Sequence, residues 1–143
     1  MIGYYKDEKS TSEALSGEWL RTGDLGYIDA DDFVFITGRK KNLIILSNGE
    51  NVSPEELENK FNGWLFAKEL MVYSENGKII AEMYPNFDYI NAVGTEDIQK
   101  EFDNKTEAIN AELPLYKRIT QTIVRTEEFE KTSSGKIKRK HSV

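Results

Sequence analysis

The run Leu70-Met71-Val72-Tyr73-Ser74-Glu75-Asn76-Gly77-Lys78-Ile79-Ile80-Ala81-Glu82-Met83-Tyr84 reads as a β-hairpin. Leu70–Tyr73 and Ile79–Tyr84 are rich in β-formers, and Asn76-Gly77 between them suits a two-residue turn in which both residues take positive φ. Upstream, Ser53-Pro54-Glu55-Glu56 marks a helix start: Ser53 as N-cap, Pro54 at the first helical position, Glu56 three residues after the cap. Leu57 and Phe61 share the helix's apolar face, and Gly63 fits its stop. Before it, Asn42–Leu46 predicts a short strand closed by the turn Ser47-Asn48-Gly49-Glu50. Tyr27–Thr37 is strand-like around the turn Asp29-Ala30-Asp31-Asp32, where Asp tolerates positive φ. Residues 1–18 are polar and suggest no element. Downstream, Pro85–Gly94 reads as a loop. Thr95 is placed as the cap of a longer helix reaching Glu112, with Ile98, Phe102, Ile109 and Leu113 as its buried stripe and Pro114 as its end. Ile119–Val124 predicts one more strand, and residues 126–143 a polar loop and tail. The order of elements gives an α+β fold, a small and mostly antiparallel sheet flanked by helices. The composition break at Gly38-Arg39 divides the chain into residues 1–37 and 38–143.

The chain has 143 residues, 38% hydrophobic and 31% charged, enough to bury a core without staples. It contains no cysteine, so disulfides and thiolate metal sites are excluded, and a reducing cytoplasm is the expected compartment. The longest aliphatic run, Leu43–Leu46, is too short to span a bilayer, and no apolar stretch follows Met1. Net charge is −6, yet residues 136–141 read Lys-Ile-Lys-Arg-Lys-His. That block is either a solvated tail or a phosphate-attracting patch. The acidic remainder argues against a dedicated nucleic-acid binder.

Three groups of residues carry candidate chemistry. In Trp19-Leu20-Arg21-Thr22-Gly23-Asp24-Leu25-Gly26, a turn presents the Asp24 carboxylate. Such a group can accept two hydrogen bonds from a ribose diol, or it can be a plain turn aspartate. Fourteen residues after Asp24 comes Gly38-Arg39-Lys40-Lys41, where Arg39 offers a forked guanidinium. The third group is Lys131-Thr132-Ser133-Ser134-Gly135-Lys136-Ile137. It is not a phosphate-binding P-loop, because Glu130 and Ile137 stand where that pattern needs Gly and Ser or Thr. The single histidine, His141, lies two residues from the end, which disfavours a Ser-His-Asp hydrolase or a His-rich metal site.

Taken together and in this order, these motifs resemble the end of an AMP-forming carboxylate ligase, the superfamily of acyl-CoA synthetases, adenylation domains and firefly luciferase. Gly3-Tyr4-Tyr5 and Leu113-Pro114-Leu115-Tyr116-Lys117 also sit in the expected order. Arg39-Lys40-Lys41-Asn42-Leu43-Ile44 is most similar to the fatty-acyl and aryl CoA ligase branches. The resemblance implies that residues 1–37 are a β-hairpin remnant of the large adenylation domain and residues 38–143 the small C-terminal lid. It implies that Asp24 and Arg39 contact the nucleotide, that Lys41 is the hinge, and that Asn48, Gly49 and Glu50 line the pantetheine tunnel. A Gly there also serves a tight turn. Lys136 would reach the carboxylate oxygen and α-phosphate during adenylation, a contribution of roughly 3 to 4 kcal/mol. Three positions depart from the pattern: Glu130 for the usual Pro, Asp32 for a turn Gly, and Ile45 for the second lysine of luciferase-like members.

The expectation is therefore a mobile lid whose catalytic body, with its phosphate loop and acid pocket, is not in this sequence. ATP and Mg2+ would be bound mainly by that body, no metal by this chain, and coenzyme A would be the co-substrate. The isolated chain is expected to be inert. Two alternatives remain: a lid serving an acyl-carrier protein, and a relic that binds phosphate-rich partners through its basic tail. Exposed Tyr4, Tyr5 and Phe35 would favour a dimer of the fragment.

Overall fold

A computed structural model describes residues 1–139 of the chain. It divides into two compact units, Met1–Lys41 and Asn42–Val143. The division falls after Lys41 rather than before Gly38, because Gly38 and Arg39 are strand residues paired with Leu25 and Asp24.

The first unit begins with a helix that the polar reading of residues 1–18 misses. Helix α1 (Glu8–Ala14) is capped by Asp7, whose carboxylate accepts from the Ser10 amide at 2.9 Å. Strands β1 (Leu15–Ser16) and β2 (Trp19–Leu20) form a minimal antiparallel pair. Strands β3 (Asp24–Ile28) and β4 (Val34–Arg39) make the hairpin that the Asp-rich turn predicts. Asp29 Oδ1 accepts from the amides of Asp31 and Phe33, each at 2.9 Å, and Asp32 takes φ +65°. Gly26 lies opposite a bulge in β4, where Thr37 is the extra residue, and so close to that strand that a Cβ there would stand 2.4 Å from the Phe35 carbonyl oxygen. Tyr27 and Phe35 stack across the pair with ring centroids 5.1 Å apart. Gly38 is the unit's only buried residue, and Trp19, Tyr27, Ile28, Phe33, Val34 and Ile36 are all exposed.

The second unit is built on a three-stranded sheet of order β7-β8-β9. Two short strands, β5 (Ile44–Ile45) and β6 (Asn51–Val52), pair ahead of it. Helix α2 (Pro54–Asn59) follows, with Ser53 Oγ accepting from the Glu56 amide at 3.4 Å. The helix is shorter than Gly63 implies; turns carry the chain from Lys60 to Gly63. Strands β7 (Ala67–Glu75) and β8 (Lys78–Pro85) are antiparallel, with Glu75 opposite Lys78 and Asn76 and Gly77 at φ +52° and +73°. β9 (Gln121–Val124) joins β8 in parallel, the one parallel pairing among the described residues.

The segment read as a loop after Pro85 contains helix α3 (Phe87–Val93). Asn86 caps it, and Gly94 ends it at φ +72°. Helix α4 (Ile98–Glu112) is capped by Asp97, not Thr95: the Asp97 carboxylate accepts from the Lys100 amide at 3.0 Å. A carboxylate also answers the positive end of the helix dipole, which a hydroxyl does not. Its stripe of Phe102, Ile109 and Leu113 is buried as the spacing predicts, with Thr106 added and Ile98 partly buried.

Alternation along β7 and β8 sorts the core into two layers. Val72, Ile79, Ala81 and Met83 pack with Leu57, Phe61, Phe102, Ile109 and Ile119. Met71, Tyr73 and Ile80, of the opposite parity, pack with Phe129, and Ile137 lies against them. The segment after Arg125 is thus the cover of the second sheet face rather than a free tail. Phe129 supplies the buried side chain that holds it there.

Candidate functional site

In the first unit, Asp24 and Arg39 are direct partners in the β3–β4 register. Arg39 Nε lies 2.7 Å from Asp24 Oδ1, an ion pair whose side chains are 51% and 28% exposed. Gly23 at φ +77° and the Thr22 hydroxyl, which accepts from the Asp24 amide at 3.1 Å, shape the turn that presents the carboxylate. The Gly23 carbonyl accepts from the Lys40 amide at 2.9 Å, closing the hairpin's open end. Cross-strand pairing thus brings together two residues fifteen positions apart. Lys41 follows in a 3-10 turn (Lys40–Asn42), exposed, as the unit's last residue.

In the second unit, Asn48, Gly49 and Glu50 form the exposed turn between β5 and β6. The Asn48 side chain accepts from the Glu50 amide at 3.1 Å, the Leu46 amide donates to the Glu50 carbonyl at 2.9 Å, and Gly49 takes φ +85°. Gly49 has open space where a Cβ would stand, so the glycine answers backbone conformation rather than crowding within this unit.

Lys136 sits in a small closed hairpin. Lys131 and Ile137 bridge its base, and the Lys136 carbonyl accepts from the Thr132 amide at 2.8 Å. The Thr132 hydroxyl in turn accepts from the Lys136 amide at 3.2 Å and shares a hydrogen bond with Ser134, and Gly135 turns at φ +78°. Thr132 and Ser134 thus tie the turn together through their hydroxyls.

The cations around Lys136 are engaged. Lys131 pairs with Glu69 and Glu128, Lys138 with Glu130, and Arg139 with Glu58 and Glu55. Hydrogen bonds to Glu69 first, and then to Glu128, raise the Lys131 ammonium above its ordinary range. Lys68 and Lys131 hold the Glu128 carboxyl below its own. Among the described residues Lys136 has no such partner, and its side chain is exposed. In a basic run, the one lysine left without a carboxylate is the one free to meet an incoming anion.

The basic block 136–141 is thus partly neutralised within the fold. Lys140 and His141 lie outside the described residues. Among the described residues no cluster of three or more His, Asp or Glu could hold a metal ion, and no helix is long and apolar enough to cross a membrane.

The sequence reading overlooks the acids that organise this region. Glu58 is one of them: burial pushes its carboxyl up, against the pull of Arg139 and the Val72 amide. Burial also opposes the charge on Arg139, but Glu58 and Glu55 more than restore it. Two acids one turn apart on α2, at Glu55 and Glu58, read as a solvated face; only the packed fold shows what returns to them. Phe129, the one aromatic in a polar stretch, was the available signal.

Residues 41–143 match the family described as AMP-binding enzyme C-terminal domain, and the chain belongs to that family. A long-chain-fatty-acid–CoA ligase of Mycobacterium tuberculosis is 40% identical over 73 residues, covering 51% of this chain and 12% of that protein. A 2-succinylbenzoate–CoA ligase of Listeria innocua is 32% identical over 137 residues, covering 96% of this chain and 28% of that protein. The O-succinylbenzoate coenzyme A synthetase of Bacillus subtilis, solved with ATP and a magnesium ion, superposes with a TM-score of 0.75 at 25% identity, over 96% of this chain and 27% of that one. The chain therefore spans about a quarter or less of the length of these relatives. The α+β architecture is that of the C-terminal region of adenylate-forming enzymes.

Proposed function

We propose that this chain is the C-terminal lid of an ATP-dependent, AMP-forming carboxylate–CoA ligase, with Lys136 as the group that enters the site for adenylation. The observation that carries the reading is the Lys136 hairpin: exposed at its tip, and bearing a lysine without a carboxylate partner while Lys131, Lys138 and Arg139 are paired, among the described residues. A carboxylate attacking the α-phosphate of ATP builds negative charge as pyrophosphate leaves, and a compact cation at that point is worth roughly 3 to 4 kcal/mol. ATP would supply the leaving group and the activated phosphorus. Asp24 and Arg39 fit its ribose side, since one Asp24 oxygen is fixed by Arg39 while the carboxylate stays partly exposed. Lys41 is proposed as the hinge, and the Asn48-Gly49-Glu50 turn as the surface presented to the pantetheine arm of coenzyme A. The magnesium ligands, the acid pocket and the choice of acid are assigned to the preceding domain.

The test joins this chain to an adenylation body of the same family and measures AMP and acyl-CoA formation over a panel of carboxylates. Turnover by the joined protein and none by the isolated chain is the expected result. Turnover by the isolated chain, or a folded joined protein silent on every acid, would overturn the proposal. A joined protein that loads a carrier protein but not coenzyme A would keep the lid and change the acceptor.

A further inference from the structure

Four side chains of the second unit that the reading above leaves without a role form one connected line. Asn42 Nδ2 donates to Glu55 Oε1 at 2.5 Å. Glu55 Oε1 also lies 3.5 Å from Arg139 Nη2. Arg139 grips Glu58 through both terminal nitrogens, Nη1 to Oε1 at 2.9 Å and Nη2 to Oε2 at 2.6 Å. Glu58 Oε1 closes the line on the sheet by accepting from the Val72 amide at 2.8 Å. The side chains of Arg139, Glu55 and Glu58 are 24%, 21% and 18% exposed, so salt screens them less than a surface pair.

The two ends of this line are what matter. Asn42 is the residue after Lys41 and the first of the second unit. Arg139 stands three residues after Lys136, on the returning arm of its hairpin. The outgoing arm is anchored by buried Phe129 and by Lys131 on Glu69. The returning arm has the Lys131–Ile137 bridge, the Lys138 amide on the Glu130 carbonyl, and an exposed Lys138–Glu130 pair of the kind that contributes little. A short hairpin held by such contacts alone is marginal. The two-pronged Arg139–Glu58 contact is the strong one, and a lysine could not reproduce it.

We infer that Arg139 is a positioning residue: through Glu58 and Glu55 it fixes the returning arm of the Lys136 hairpin to α2 and to the segment that follows Lys41. The lysine is then carried as a rigid extension of the chain leaving the hinge, and rotation there delivers it without a separate ordering step. This rests on the lid reading.

Two measurements test it. In the isolated chain, Arg139→Met should speed amide hydrogen exchange at Thr132, Lys136 and Lys138 by tenfold or more while Ile80 and Ala81 on β8 exchange as before. In the joined ligase, the same substitution should lower kcat for pyrophosphate release about tenfold. KM for ATP, and thioester formation from supplied acyl-adenylate, should stay within twofold. Arg139→Lys should restore part of the loss, and Glu55→Gln should produce the same split at smaller size. Equal loss in both half-reactions, or no change in exchange at Lys136 and Lys138, would overturn the inference. If Arg139→Met does not fold, Arg139→Lys and Glu55→Gln decide by the same criteria. Lys136→Ala separates the two claims. If it leaves pyrophosphate release intact, the lid reading fails, whereas the exchange result still reports on the contact itself.

Discussion

Phe129→Ala should destabilise the second unit by about 3 to 4 kcal/mol, because Phe129 is the buried side chain through which the C-terminal segment covers one face of the sheet, with Ile137 only partly buried beside it. Its side chain is 6% exposed and packs with Met71, Tyr73 and Ile80. Truncating a buried Phe costs about 3 to 5 kcal/mol. The lower end applies, since the cover is a single segment able to settle inward. The ring also lies 4.4 Å beneath the Arg125 guanidinium, whose Nη1 donates to buried Glu82 at 2.8 Å. Losing the ring loses a cation–π contact of roughly 0.5 to 2 kcal/mol. Urea unfolding followed by tryptophan fluorescence reports the change, since Trp64 packs in the opposite layer against Phe61 and Phe102. With a denaturant slope of about 2 kcal/mol per molar, the midpoint should fall by roughly 1.5 to 2 M. A shift below about 0.4 M would refute the claim that the segment after Arg125 is part of the core. An unchanged Trp64 transition with fast exchange confined to residues 126–139 would show the cover detaching on its own.

Other predictions follow from single contacts. Gly26→Ala places a methyl against the Phe35 carbonyl, at a cost of about 1 to 3 kcal/mol, and should abolish the cross-strand ring contact between Tyr27 and Phe35 in NOE spectra; persistence of that contact would contradict the geometry. Asp24→Asn and Arg39→Leu in the joined ligase should each raise KM for ATP roughly 10- to 100-fold. The double variant should be little worse than either alone, because each residue orients the other; additive losses would mean they act separately. Glu58 carries a pH signature. Burial raises its folded-state pKa, so the folded chain holds that proton more tightly than the unfolded one. Its contribution to stability is therefore greatest below the ordinary glutamate range and is lost as pH rises through the raised value. Glu58→Gln should flatten that decline in chemical-denaturation free energy; an unaltered pH profile would count against it.

How much of this was legible from residues alone varies with the range of the interaction responsible. The Asn76-Gly77 hairpin, the Ser53 cap and the Asp29–Asp32 turn are local chemistry, and the structure places them where the residues say. Helix α3 was missed although Asn86 and Gly94 are good caps, because Pro85 ahead of it reads as a breaker while in fact it ends a strand. The cap of α4 was misplaced by two residues, where Thr95 and Asp97 both fit and only the fold selects. Of the candidate site, the turn predicts the hairpin, but its register alone would set Asp24 opposite Gly38; the bulge beside Gly26 shifts the pairing by one residue and brings Arg39 to Asp24. The order in residues 126–139 follows only in part from local hairpin contacts. The rest comes from the sheet face that buries Phe129 and from acids more than fifty residues upstream, on α2 and β7, that pair with what otherwise reads as a basic tail.

The most direct test of the account separates the two half-reactions in a joined ligase carrying Lys136→Ala. The account predicts pyrophosphate release slowed about 10²- to 10³-fold, with thioester formation from supplied acyl-adenylate close to that of the native chain. Equal slowing of both steps, or native pyrophosphate release, would contradict it.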